Sequence, residues 1–315
     1  MNRRNIFAAL AAVVTIGTVS ALPVWAGISG QPKLSAEDAG KFSAAARLFN
    51  PQGGDPGKGR ADLLLLIEAA PTADFTDYLA LPVSDDSAYN GIVATLSDAL
   101  ATRKADDPQA TYLLYNIART HYLRALRFRT QGEQRPFLEV GIKALDRLPT
   151  SVRDTAAYEL RGDIEAFRGN TDAAVMSYKR MTASGGTTAS VNYKIGLTYL
   201  RANRLADALA SLESAARAAS SDAAQQRTAH YAYVAISQVY YQQGNERSAI
   251  VALGQAAKVK QDTATPFNFR LEIAQLLLRR GHAAEVAAYA EAAVRHNPDD
   301  EAAKALLEHA KSARR

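Results

Sequence analysis

TAAYELRGDIEAFRG at residues 155–169 is followed, thirty-four residues on, by ASVNYKIGLTYLRAN at residues 189–203. Both stretches hold glycine at the eighth place, Gly162 and Gly196, and a turn-forming residue at the fifteenth, Gly169 and Asn203. Gly and Asn share that last place because both tolerate the left-handed backbone that ends a helix, Gly because it has no Cβ. Setting Gly244 and Gly281 at the same place gives two further starts, at His230 and Phe267, spaced by thirty-four residues plus short insertions.

Other places agree in the same register. The twentieth holds Ala174, Ala208, Ala249 and Val286, and the twenty-seventh Met181, Ala215, Ala256 and Ala293. The eighth is completed by Ser237 and Ala274, and the twenty-fourth holds Tyr178, Leu212, Leu253 and Ala290. Small side chains at fixed places let helix axes approach to about 8–10 Å, while larger apolar ones fill the space between. Two places are irregular. The fourth alternates Tyr158 and Tyr233 with Asn192 and Arg270, and the eleventh has Glu165 where the others have Tyr199, Tyr240 and Leu277.

This register resembles the tetratricopeptide repeat, a unit of two antiparallel helices. The resemblance implies an all-α, right-handed superhelical solenoid of antiparallel helix pairs, with extra N-terminal helices and a C-terminal capping helix. In such an array each unit leaves an apolar face that its neighbour covers. The repeats are then 155–188, 189–222, 230–263 and 267–300. A degenerate helix pair is expected at 108–151, with Gly132 at its turn and its first helix starting near Pro108, after a helical N-terminal region at 27–107. The C-terminal segment 301–315 reads as a capping helix and basic tail, with Asp299 or Asp300 as its N-cap and Ala302, Leu306, Leu307 and Ala310 on one face.

The chain opens with a basic start, Arg3-Arg4, an apolar run from Ile6 to Leu22 and small residues at Val24 and Ala26. That is the layout of a secretory signal, predicting cleavage after Ala26 and a periplasmic location in a Gram-negative bacterium. An uncleaved anchor in the inner membrane, facing the periplasm, is the alternative; the run is slightly short of the roughly 20 residues a span needs. Arg3-Arg4-Asn5-Ile6-Phe7 also resembles a twin-arginine export core. Cleavage would remove Trp25, the only tryptophan, and lower the net charge from +5 to +3.

Acids and bases are intermingled along the chain, with no concentrated basic stripe of the kind that nucleic acid requires. No cysteine is present, which excludes disulfides, thiolate catalysis and cysteine-ligated metal. The run Gly53-Gly54-Asp55-Pro56-Gly57-Lys58-Gly59 lacks the leading glycine and the following Ser or Thr of a phosphate loop. His121, His230, His282, His296 and His309 form no metal-ligand spacing, and no nucleophile-elbow motif occurs. No catalytic residue, cofactor or metal is expected, and the chain reads as a binding protein rather than an enzyme.

In the resembled family, the first helix of each unit lines a concave groove. Carried over place by place, the inward residues are Glu159 and Asp163; Tyr193, Lys194 and Arg201; Tyr231, Gln238, Tyr241 and Gln242; and Asn268, Glu272, Gln275 and Arg279. Tyrosine with amides and charges offers flat apolar area and adaptable hydrogen bonding, suited to an extended peptide or a helix. The expected partners are proteins or peptides, met by a scaffold in envelope or secretion-system assembly. The alternative is a periplasmic enzyme or glycan-binding protein with a site between the N-terminal region and the solenoid. One branch of the family clamps a C-terminal carboxylate; Glu159 and Asp163 fall at the clamp positions of the first clear repeat and would repel it.

Overall fold

A computed structural model describes residues 35–70, 85–104, 107–220, 222, 225–259, 278, 281–296, 298 and 301–313. The signal segment, Asp299, Asp300 and the inward residues 268, 272, 275 and 279 lie outside them. Among the described residues the regular structure is helical, without strands. The chain divides into two compact units, whose described residues are 35–186 and 187–313.

In the first unit, α1 (Ala36–Arg47) begins at Ser35, whose hydroxyl accepts the Asp38 N–H at 3.0 Å. Glu37 and Asp38 in its first turn and Arg47 in its last complement the helix dipole. Helix α2 (Pro56–Ala69) starts inside the glycine-rich run that reads as a loop as far as Gly59. Asp55 caps the Lys58 N–H at 3.0 Å, and Pro56 occupies the first turn, where its missing N–H costs nothing. The lysine of the apparent phosphate loop therefore sits in a helix start closed by a carboxylate.

Helix α3 (Asp86–Ala101) is capped by Asp85 and α4 (Pro108–Ala125) by Asp107. Helix α5 (Gln131–Asp146) opens with a reciprocal capping box between Thr130 and Glu133. Gly132 lies in that first turn, not at a helix–helix corner, because the capping box starts the helix one residue ahead of it. Helix α4 is buried on almost every side, polar Asn116, Arg119 and Thr120 included. Helices α6 (Thr155–Phe167) and α7 (Thr171–Ala183) complete this unit. Each helix packs on the next in chain order, around one apolar core that runs from Ala39 to Ile164.

The second unit holds α8 (Thr188–Arg201), α9 (Leu205–Ser220), α10 (Gln226–Gln242), α11 (Glu246–Lys258), α12 (Ala283–His296) and α13 (Glu301–Ser312). The pairs α8–α9, α10–α11 and α12–α13 pack closely. Helix α10 also covers α9 and touches α8, so first helices lie beside first helices. Among the described side chains of α13, Ala303, Leu306 and Ala310 are buried and Leu307 is half-buried, while Ala302 lies outside them.

The repeat register has direct physical counterparts. Gly169, Asn203, Gly244 and Gly281 have φ of 82, 58, 77 and 86°, and Asn203 is the one described non-glycine with positive φ. The residue after each of the first three turns donates its N–H to the eleventh-place carbonyl: Asn170 to Glu165 at 2.9 Å, Arg204 to Tyr199 at 2.8 Å and Asn245 to Tyr240 at 2.9 Å. These are Schellman closures, which satisfy carbonyls a helix end would otherwise leave bare. A Cβ on Gly162 would lie 2.6 Å from Tyr178 Cδ1, and one on Gly196 would lie 2.7 Å from Leu212 Cδ2, so the eighth-place glycines admit the twenty-fourth-place side chains.

The irregular places are also explained. Buried Glu165 accepts from Arg168 at 2.9 Å and from Asn170 Nδ2 at 2.7 Å, tying down the corner it precedes. Asn192, where two other repeats have tyrosine, donates to Ser214 Oγ at 3.0 Å across α8 and α9.

Candidate partner-binding face

Helix α8 places Tyr193, Lys194, Leu197 and Arg201 along one stripe, and α10 does the same with Arg227, Tyr231, Gln238, Tyr241 and Gln242. Steps of three and four residues keep such side chains on one helical face. Arg201 is exposed, while Tyr193, Lys194, Leu197, Arg227, Tyr231, Tyr241 and Gln242 are half-buried. The ring of Tyr231 stands edge-on to His230, with centroids 5.5 Å apart. Burial pushes the Tyr193 phenol up, Lys194 draws it down and Tyr231 adds to the rise. Burial raises Tyr231 as well, with Arg227 opposing. Both phenols are therefore neutral hydrogen-bonding groups at physiological pH.

Gln238 is 8% exposed, and its Oε1 has no hydrogen-bond partner. A buried acceptor without a donor costs about 1–3 kcal/mol.

The sequence-predicted residues divide between the units. Tyr193, Lys194 and Arg201 lie on α8, and Tyr231, Gln238, Tyr241 and Gln242 on α10, Gln238 buried among them. Glu159 and Asp163 lie on α6 in the other unit, each 7% exposed, and Asp163 accepts the Tyr178 hydroxyl at 2.7 Å. These carboxylates are interior groups rather than a solvent-facing acidic rim. Arg227 was not among the sequence candidates, because α10 begins four residues before the repeat start at His230. Extending the helical period backwards from Tyr231 by one turn would have found it.

A cavity of about 350 Å³ in the first unit is lined by Gln131, Gly132, Arg135, Leu138, Phe167, Arg168 and Asn170. None of these is a carboxylate, imidazole, hydroxyl or thiol able to act as nucleophile or general base. Glu139, bonded by the cavity's Arg135 at 2.8 Å, has its carboxyl held below the usual range, away from the value a proton-transfer group needs near neutrality. Among the described residues no three His, Asp or Glu side chains are grouped to hold a metal ion, and no helix is long and apolar enough to cross a membrane.

No protein-family profile and no curated protein sequence matches the chain. Solved structures similar to it include the Cut9–Hcn1 hetero-tetramer of APC/C (13% identity, TM-score 0.34, 85% of this chain and 52% of that one). The chain thus spans about half the length of that match. A tetratricopeptide repeat protein from Parabacteroides merdae is similar at 15% identity and a TM-score of 0.34 over 75% of this chain and 98% of that one. Yeast Tom70 is similar at 12% identity and 0.31 over 97% and 69%. The positive-φ corners at the fifteenth place, the Schellman closures of the first three and the glycine-to-large packing of α6 on α7 and α8 on α9 give this chain a tetratricopeptide-repeat fold.

Proposed function

We propose that this chain is an exported scaffold that binds protein partners through the α8–α10 face and takes part in envelope or secretion-system assembly. The observation that supports the binding reading is the set of half-buried tyrosines, Tyr193, Tyr231 and Tyr241, with Gln242 on the two first helices α8 and α10, which touch. Rigid tyrosine rings supply contact area at small entropic cost. Export is supported by the basic start, apolar run and small residues of the first 26 residues. The periplasm is the compartment that this layout implies.

Site-specific photo-crosslinking in cells tests the face. A photoreactive residue at Tyr241 or Gln242 is expected to trap defined protein adducts, and one at Val251, exposed on α11, is not. Adducts of the same pattern from all three positions, or from none, would remove the face from the proposal. Intact mass of the secreted product tests export separately: cleavage after Ala26 also removes Trp25, leaving tyrosine emission only.

A further inference from the structure

The cavity of the first unit lies where the first turn of α5 meets the corner between α6 and α7. Its frame is fixed. Gly169 holds the corner in the left-handed region, and Asn170 bonds Glu165 through both its backbone N–H and its side-chain amide. Phe167 is half-buried and packs edge-on to Tyr122, with centroids 5.7 Å apart. A site set in place before its ligand arrives loses little entropy on binding.

Charge decides the class of ligand. Arg135 gives its Nε–H to Glu139 at 2.8 Å, and Arg168 gives an Nη1–H to Glu165 at 2.9 Å. Glu139 is held down first by Arg135 and also by Arg168, so the two pairs form one cluster. Two guanidiniums and two carboxylates sum to zero formal charge, and an anion would meet as much repulsion as attraction there. Hydrogen-bonding capacity, in contrast, is left over. Arg135 keeps both terminal amino groups and Arg168 keeps Nε and Nη2, while the amides of Gln131 and Asn170 add carbonyl acceptors. Guanidinium donors are charge-assisted and stronger than neutral ones. Leu138 and Phe167 add an apolar wall. A neutral molecule dense in hydroxyls and carrying a C–H face matches all of these features, and that is a sugar ring. The volume, about 350 Å³, is at the small end of ligand pockets and limits the occupant to one or two rings.

We propose that this cavity binds a neutral saccharide, independently of the α8–α10 face. Sugar hydroxyls accept from Arg135 and Arg168 and exchange hydrogen bonds with the amides of Gln131 and Asn170, while the C–H face rests on Phe167.

Saturation-transfer NMR on the full-length protein tests this. The probes are methyl glycosides of glucose, galactose and N-acetylglucosamine, with glucuronate and benzoate as charged comparisons. At least one neutral glycoside is expected to receive saturation and to bind more tightly than either carboxylate. Arg135→Ala, at a side chain 77% exposed, leaves the packing intact and should weaken that glycoside about tenfold, the loss of one charge-assisted hydrogen bond. Gln131→Ala, also at an exposed site, should weaken it about threefold. Glu139→Gln leaves the cluster with one unmatched positive charge and should turn the preference towards glucuronate, a change that a purely structural role would not produce.

No saturation of any glycoside would overturn the sugar site. Equal affinity in the unchanged protein and both alanine variants would put the sugar elsewhere and overturn the cavity assignment. Glucuronate or benzoate preferred by the unchanged protein would overturn the neutral class, and so would an unaltered preference in Glu139→Gln. None of these outcomes bears on the α8–α10 face, which the crosslinking test reads by itself.

Discussion

Replacing Gly162 by alanine tests the packing rule that defines the repeat. Gly162 lies inside α6 with ordinary helical backbone, so propensity alone would favour alanine by about 1 kcal/mol. The new Cβ, however, would lie 2.6 Å from Tyr178 Cδ1 and 2.8 Å from Cζ, against a normal carbon contact of about 3.5–4.0 Å. The ring must move by about 1 Å, yet it is buried and its hydroxyl is bonded to Asp163 at 2.7 Å. Overpacking costs about 1–3 kcal/mol, and loss of a hydrogen bond to a charged group adds about 1.5–3 kcal/mol. Against the propensity gain, Gly162→Ala should destabilise by about 1.5–5 kcal/mol. In a Tyr178→Ala background the clash is gone, and the same substitution should stabilise by about 1 kcal/mol, a coupling of about 2.5–6 kcal/mol. That double variant has the alanine pair the fourth repeat carries at Ala274 and Ala290. Urea unfolding followed by far-ultraviolet circular dichroism reads both values. Stabilisation by Gly162→Ala in the otherwise unchanged protein would refute the close-packing account of the eighth place.

His121, buried between α3 and α5 and 2.8 Å from the Tyr89 hydroxyl, has its pKa lowered by burial from 6.5 to about 4. The unfolded chain therefore binds the proton first as pH falls. Stability should be full above about pH 6.5 and decline towards pH 4 by up to about 3 kcal/mol, and His121→Gln should flatten that dependence in unfolding curves taken across the window. At the α8–α9 corner, Asn203 has φ of 58°, so Asn203→Ala should cost about 1 kcal/mol while Asn203→Gly does not; a similar midpoint for the two variants in thermal unfolding would contradict the left-handed cap.

The face on α8 and α10 was readable as a set of places, because a helical stripe follows from spacing alone. Tyr193 and Tyr231 belong to different repeats, and the sequence gives no measure of how near their rings stand. Arg227 escaped because its helix begins before the repeat does. The corner residues were readable for a different reason: Gly169, Asn203, Gly244 and Gly281 are fixed by local backbone sterics, which do not depend on neighbours.

By itself, then, the sequence determined the helical class, the thirty-four-residue register and the left-handed corners, since hydrophobic period and turn chemistry act within a few residues of the chain. Tertiary structure alone decided that Glu159 and Asp163 are interior, that Glu165 ties a corner, and that Gln238 is buried without a donor. Those outcomes turn on desolvation and on which polar atoms meet across packed helices. Both are set by residues remote in sequence, so no local pattern could have carried them.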